Sequence, residues 1–124
     1  GTFLFDVKAI DPQTAVAVGA DSLIIMTRDG GSTWRELNAP LPPHTHLLGV
    51  AAGAGGDIAI SGKGFYLFSN DKGASWSPLR FVPTMEYGWL YGIEGVGENR
   101  FASVGMDGLI YMGSPSGSLQ QTIY

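Results

Sequence analysis

Thr27-Arg-Asp29-Gly-Gly31-Ser-Thr-Trp34 and Ser69-Asn-Asp71-Lys-Gly73-Ala-Ser-Trp76 are two copies of one pattern, Ser/Thr-x-Asp-x-Gly-x-x-Trp, set 42 residues apart. Each follows a run of apolar residues, Leu23-Ile-Ile-Met26 or Phe65-Tyr-Leu-Phe68, and so reads as the turn of a β-hairpin. The residue types suit that place. A hydroxyl and a carboxylate can accept backbone N–H groups inside the turn, glycine supplies a left-handed residue, and tryptophan covers the loop.

Working outward from the turns, the whole chain repeats. Leu4, Leu47 and Leu90 stand 43 residues apart, and Val7, Val50 and Ile93 follow each of them by three. Val18-Gly19, Ser61-Gly62 and Val104-Gly105 continue the same register. Four short strands are expected per copy; in the first they lie near residues 3–9, 15–19, 23–27 and 33–37, divided by Asp11-Pro12, Ala20-Asp21-Ser22 and Asp29-Gly-Gly31. In the third copy Asp107-Gly108 is a strong hairpin signal, because a tight primed turn needs positive φ at both central residues. The second strand of each copy (15–18, 57–60 and 101–104) is small or branched on both faces, as suits a strand covered by neighbouring sheets.

Four antiparallel strands in a repeat of this length predict an all-β chain of three propeller blades, 1–43, 44–86 and 87–124. A β-sandwich is the competing architecture, and it offers no reason for a constant interval with the same turn chemistry. The third blade is degenerate. Gly113-Ser-Pro115-Ser-Gly117-Ser-Leu-Gln120 keeps only the glycine of the turn pattern, which predicts a looser hairpin there.

Composition agrees. The chain has 19 Gly and 7 Pro in 124 residues, 15% charged residues and no Cys. Helix bundles and coiled coils are excluded by such frequent breakers, and a disulfide framework by the missing cysteine. Seven basic against eleven acidic side chains argue against nucleic acid as a partner. No apolar run approaches the roughly 20 residues of a membrane-spanning helix. Absence of cysteine fits a cytosolic and an exported protein equally.

The turn pattern resembles the Asp-box, or BNR repeat, of sialidases, sortilin-type receptors and photosystem II assembly/stability factors. Thr27, Asp29, Gly31 and Trp34, then Ser69, Asp71, Gly73 and Trp76, occupy its positions. The segment Ala17-Val-Gly-Ala-Asp-Ser-Leu-Ile-Ile-Met-Thr-Arg-Asp-Gly-Gly-Ser-Thr-Trp34 is most similar to the photosystem II assembly factor type. That resemblance implies a propeller of seven or a similar number of blades, acting as a non-enzymatic scaffold for a protein complex. A sialidase-like glycoside hydrolase or a glycan-binding module is the alternative. By resemblance the hydrolase needs an arginine triad, whereas Arg28 and Arg35 belong to the first Asp-box hairpin and leave only Arg80 and Arg100. Hydrolysis in general needs two carboxylates, and among Glu86, Glu94, Glu98 and Asp107 no spacing selects a pair.

The Asp-box residues read as structural, so no catalytic residue is assigned, and no cofactor or metal is expected. His44-Thr-His46 would place two imidazoles on one side of an extended strand, but without a third ligand it reads as a surface loop. The most aromatic stretch, residues 80–91, carries Arg80, Tyr87, Trp89 and Tyr91, with its three rings at alternate positions and therefore on one strand face. Such a face suits a protein partner or sugar stacking; the alternative is packing between blades. Three blades cannot close a ring. Further blades from a longer chain, or a homo-oligomer, are therefore expected to cover two apolar faces, and the 124-residue chain alone should be oligomeric or poorly stable.

Overall fold

A computed structural model describes residues 2–78, 81–82, 88–96, 100–113 and 119–123. The described chain forms three antiparallel sheets. The first is β1 (Leu4–Ala9), β2 (Ala15–Gly19), β3 (Ile24–Thr27) and β4 (Arg35–Glu36), in that spatial order. The second repeats it with β5 (Leu47–Ala52), β6 (Ile58–Gly62), β7 (Tyr66–Ser69) and β8 (Ser77–Pro78). In the third, β10 (Leu90–Gly95), β11 (Phe101–Gly105), β12 (Leu109–Gly113) and β13 (Leu119–Ile123) keep the pattern and gain β9 (Phe81–Val82). This fifth strand adds to the four antiparallel strands expected of each blade. It comes from the connection between the second and third copies and pairs parallel with β13, Leu119 opposite Phe81 and Gln120 opposite Val82, where an edge strand would otherwise present unpaired backbone groups.

The first strands of the repeats, β1, β5 and β10, lie side by side at the inner edge of the three sheets. The second sheet packs one face on the first sheet and the opposite face on the third. Val16, Val18, Ile24 and Met26 of the first blade meet Leu47, Val50, Ile58, Ile60 and Leu67 of the second, all buried. Across the next interface, Ala59 and Tyr66 of the second blade meet Leu90, Phe101 and Tyr111 of the third. The alternation of strand side chains produces this arrangement: β6 sends Ile58 and Ile60 one way and Ala59 the other. Burying one such aliphatic side chain contributes about 1.5–3 kcal/mol. The structure is thus an arc of three propeller blades rather than two sheets facing each other.

Polar links cross the interfaces too. Asp6 Oδ2 accepts the Val50 N–H at 3.0 Å, Arg28 Nη2 donates to the Lys72 carbonyl at 3.0 Å, and Lys72 Nζ lies 3.7 Å from Asp11 Oδ2. Between the second and third blades the Ser103 hydroxyl donates to the buried Tyr66 hydroxyl at 3.1 Å. The connection from the first blade to the second is fastened by Ser22, whose Oγ donates to the Pro42 carbonyl at 2.7 Å and accepts the Thr45 N–H at 3.0 Å.

All three blades carry the same irregularity. Pairing of the first strand with the second skips one residue, between Leu4 and Asp6, Leu47 and Gly49, and Leu90 and Gly92. The skipped residues are Phe5, Leu48 and Tyr91, at the 43-residue interval. At each of these bulges the chain comes very close to a glycine. A Cβ on Gly19, Gly62 or Gly105 would stand 2.0, 2.1 or 1.9 Å from the carbonyl oxygen of Phe3, His46 or Trp89. The same carbonyls accept the N–H of the residue after the glycine: Ala20 at 2.9 Å, Lys63 at 3.0 Å and Met106 at 3.1 Å. This contact explains the Val-Gly, Ser-Gly, Val-Gly repetition of the sequence. Asp107, at φ 57°, and Gly108, at φ 73°, form the primed turn between β11 and β12.

Candidate protein-binding surface

The Asp-box turns stand between the third and fourth strands, away from the inner edge. In the first, Thr27 Oγ1 accepts the Gly31 N–H and donates to Asp29 Oδ1, both at 2.9 Å. Asp29 in turn accepts the Thr33 N–H at 2.9 Å and the Thr33 hydroxyl at 2.6 Å. The second turn repeats every bond: Ser69 Oγ accepts the Gly73 N–H at 2.8 Å, and Asp71 accepts the Ser75 N–H at 2.9 Å together with the Ser75 hydroxyl. Trp76 Nε1 closes the loop on the Gly73 carbonyl at 3.1 Å. Hydrogen bonds to the charged form, first from the Thr33 or Ser75 hydroxyl, then from the same residue's N–H, hold both carboxyls down at about 2. Carboxylates so engaged are poor proton acceptors. Arg28 and Arg35 line a shallow cleft beside Asp29, with Met26, Thr33 and Leu37.

At the inner edge the bulges assemble a different surface. Phe5, His46, Trp89 and Tyr91 form a continuous row of rings: Phe5 meets His46 edge-on at 6.2 Å between centroids, His46 lies 6.0 Å from Trp89, and Trp89 stacks on Tyr91 at 6.3 Å. Lys63 Nζ stands 5.1 Å from the Trp89 ring centre, in the range of a cation–π contact. The fold dictates this grouping. Backbone next to each glycine is fixed by the carbonyl contact, and the bulge turns the skipped side chain outward, so positions 3, 5, 46, 48, 89 and 91 gather at one end of the inner strands. Phe5 and Tyr91 are 48% and 56% exposed, and Trp89 is half-buried. At the two ends of the row the rings are exposed, and between them His46 and Trp89 are half-buried.

Of the residues singled out in the sequence, Trp89 and Tyr91 share one side as their spacing required, whereas Arg80 and Tyr87 lie outside the described residues. Phe5 was not anticipated there, and His46 was weighed only as a metal ligand; nothing in the sequence pointed to Lys63. The signal for Phe5 and His46 was present in the 43-residue interval between Phe3, His46 and Trp89, and between Phe5, Leu48 and Tyr91. The two histidines lie in the loop before β5, as the sequence suggests, and do not share a face. His44 has a left-handed backbone, φ 64°, that breaks the alternation and directs its Nδ1 to Asp21 Oδ1 at 3.2 Å, while His46 joins the aromatic row. His46 Nδ1 is buried without a hydrogen-bond partner among the described residues, so ring contacts hold that imidazole. Among the described residues no group of three His, Cys, Asp or Glu side chains could hold a metal ion. Of the four acids weighed for hydrolysis, Glu94 is exposed on β10, Asp107 sits in a turn, and Glu86 and Glu98 lie outside the described residues.

Comparison with known proteins places this geometry. A solved structure of YCF48 bound to D1 peptide superposes with a TM-score of 0.84 at 27% identity, over 97% of this chain and 40% of that one. YCF48 from Cyanidioschyzon merolae gives a TM-score of 0.78, also at 27% identity, over 98% of this chain and 36% of that one. The chain thus spans about two-fifths of the length of the structures it matches. No curated protein matches it significantly. The family model described as photosynthesis system II assembly factor YCF48 matches residues 1–122, and the chain belongs to that family.

Proposed function

We propose that this chain is part of a non-enzymatic scaffold that binds an extended segment of a partner protein along the row formed by Phe5, His46, Trp89 and Tyr91. The observation that carries the proposal is the row itself: four rings from three different blades, brought to one accessible line by a repeated bulge, with a lysine at its margin. Aromatic side chains with a cation beside them are the composition of binding hot spots. Arg80 and Tyr87, close in sequence to Trp89, are proposed to extend the same surface. Membership of an assembly-factor family supports the reading, as does the related YCF48 structure, whose partner is a D1 peptide. The Asp-boxes are proposed to serve only as staples, since their hydroxyls and carboxylates are occupied by their own turns.

Titration calorimetry with a D1 peptide tests the proposal. Trp89→Ala and Tyr91→Ala are each expected to weaken binding by at least about tenfold, the effect of truncating a hot-spot aromatic. Asp29→Asn, at the opposite edge of the sheet, should leave affinity unchanged. Equal affinity in the wild type and both ring variants would refute the surface. Turnover of a fluorogenic glycoside, abolished on neutralising Glu94 or Asp107, would favour the carbohydrate-active alternative instead.

A further inference from the structure

Lys63 belongs to the middle blade, which has a blade on either side, and its backbone is fixed twice over. The Lys63 N–H donates to the His46 carbonyl at 3.0 Å, the residue bridges antiparallel to Trp89, and the Gly64 N–H donates to the Gly88 carbonyl at 2.7 Å. The residues that follow the three contact glycines are Ala20, Lys63 and Met106, so only the middle repeat sets a charge there. That charge stands free. Lys63 Nζ lies 5.1 Å from the centre of Trp89, third of the four rings in the row; the side chain is exposed and, among the described residues, makes no ion pair. Two acids beside equivalent places of the first blade are engaged elsewhere. Asp6, next to the bulge residue Phe5, accepts the Val7 N–H at 2.9 Å and the Val50 N–H at 3.0 Å, and Asp21, next to Ala20, has its Oδ1 3.2 Å from His44 Nδ1. Successive rings are 6.2, 6.0 and 6.3 Å apart, close to the roughly 6.6 Å between alternate side chains of an extended chain. An extended segment laid along the row therefore sets one side chain on each ring.

Resting on the reading of this row as a binding surface, we propose that Lys63 makes it selective for an extended segment with one acidic side chain, Asp or Glu, seated at Trp89, and with apolar side chains two residues to either side, over His46 and Tyr91. A cation without an acid of its own attracts a carboxylate and penalises a basic residue in the same place, so it sets register and specificity more than affinity. The carboxylate belongs to a side chain and not to a chain end, because the rings continue on both sides of Trp89. A segment ending there would leave Tyr91, 56% exposed, uncovered. A formal charge of -4 on the protein disfavours a run of acids, so the single carboxylate stands among uncharged residues.

Selection on the immobilised full-length protein, from a phage library of random internal peptides of about eight residues, long enough to span the row, gives the test. Binders retained by the wild type and lost by Trp89→Ala are expected to carry one Asp or Glu with apolar residues two positions before and after it. Lys63→Met keeps an apolar stem on the indole and should lose the preference for acid; Lys63→Arg should keep it, and Lys63→Glu should turn it to Lys or Arg. Titration calorimetry of one enriched peptide at low salt is expected to show Lys63→Met weakening binding by about three- to fivefold, the size of an exposed charge pair. Changing the peptide's acid to its amide should cost the same factor, and the two changes together no more than either alone. An acid preference equal in the wild type and Lys63→Met, additive losses in the cycle, or a preference found only in a second library that displays free C-termini would each overturn the proposal while leaving the row as a binding surface. Absence of any peptide that depends on Trp89 would overturn the proposal and the reading of the row together.

Discussion

Replacing Gly62 with alanine should be the most damaging methyl addition in the second blade, and its size follows from one distance. The new Cβ would stand 2.1 Å from the His46 carbonyl oxygen and 3.1 Å from Leu47 Cα, both backbone atoms that cannot rotate away. Relief requires the start of β5 to retreat by about 1 Å, at a cost of about 1–3 kcal/mol for overpacking. That movement also weakens the hydrogen bond from the Lys63 N–H to the same carbonyl, worth about 1 kcal/mol. The sum is about 2–4 kcal/mol. An unfolding entropy of about 2.1 cal/mol/K per residue makes 1 kcal/mol equivalent to about 4 °C in a chain of this length, so the melting temperature should fall by roughly 8–15 °C. Two other glycines calibrate the measurement. Gly31→Ala meets no atom within 4 Å but keeps φ at 97°, so it incurs only left-handed strain, about 1–2 kcal/mol or roughly 4–8 °C. Gly92→Ala meets only a rotatable Val104 methyl at 3.3 Å and should shift melting by less than about 3 °C. Differential scanning calorimetry of the three variants at one protein concentration gives the order directly. If Gly62→Ala melts with Gly92→Ala, or above Gly31→Ala, the carbonyl contact does not control the bulge.

The Asp-box carboxyls titrate at about 2 in the folded chain against 3.8 as the ordinary value, so their stabilisation is complete above about pH 4 and is lost as pH falls from there toward 2. Urea midpoints at pH 5 and pH 3 should therefore differ in the wild type and differ less in an Asp29→Asn, Asp71→Asn double variant; equal sensitivity in both would refute the assignment. Tyr66→Phe and Ser103→Ala should each destabilise by about 1 kcal/mol, and a double-mutant cycle should give a coupling of at least about 0.5 kcal/mol, since the two hydroxyls bond across a blade interface. Strict additivity would show that this bond contributes nothing to holding the second and third blades together.

The architecture was legible because its determinants are local. Turn chemistry at Asp29-Gly-Gly31 and Asp71-Lys-Gly73, alternating apolar runs and a constant interval fix hairpins one by one, and each hairpin constrains only its neighbours. The fifth strand was not legible. Phe81 and Val82 carry no pattern that announces a parallel partner 38 residues further on, and their pairing depends on where the edge of β13 comes to lie. The aromatic surface was half legible: Trp89 and Tyr91 stood out as a cluster in the sequence, but Phe5 and His46 reach them only because three inner strands run side by side. His44 and His46 stand in a loop, as the sequence suggests, but their separation onto different sides depends on a single backbone angle at His44, which no spacing of residues encodes.

The bulge at Phe5, Leu48 and Tyr91 separates architecture from recognition. What keeps the chain in place there is a glycine and a carbonyl, neither of which cares which side chain is displayed. In the first and third repeats the bulge residue, Phe5 or Tyr91, is exposed, so its side chain can change with little disturbance to the sheet behind it, while Leu48 of the second is half-buried. A protein built this way can acquire a new binding preference one repeat at a time while its framework stays the same.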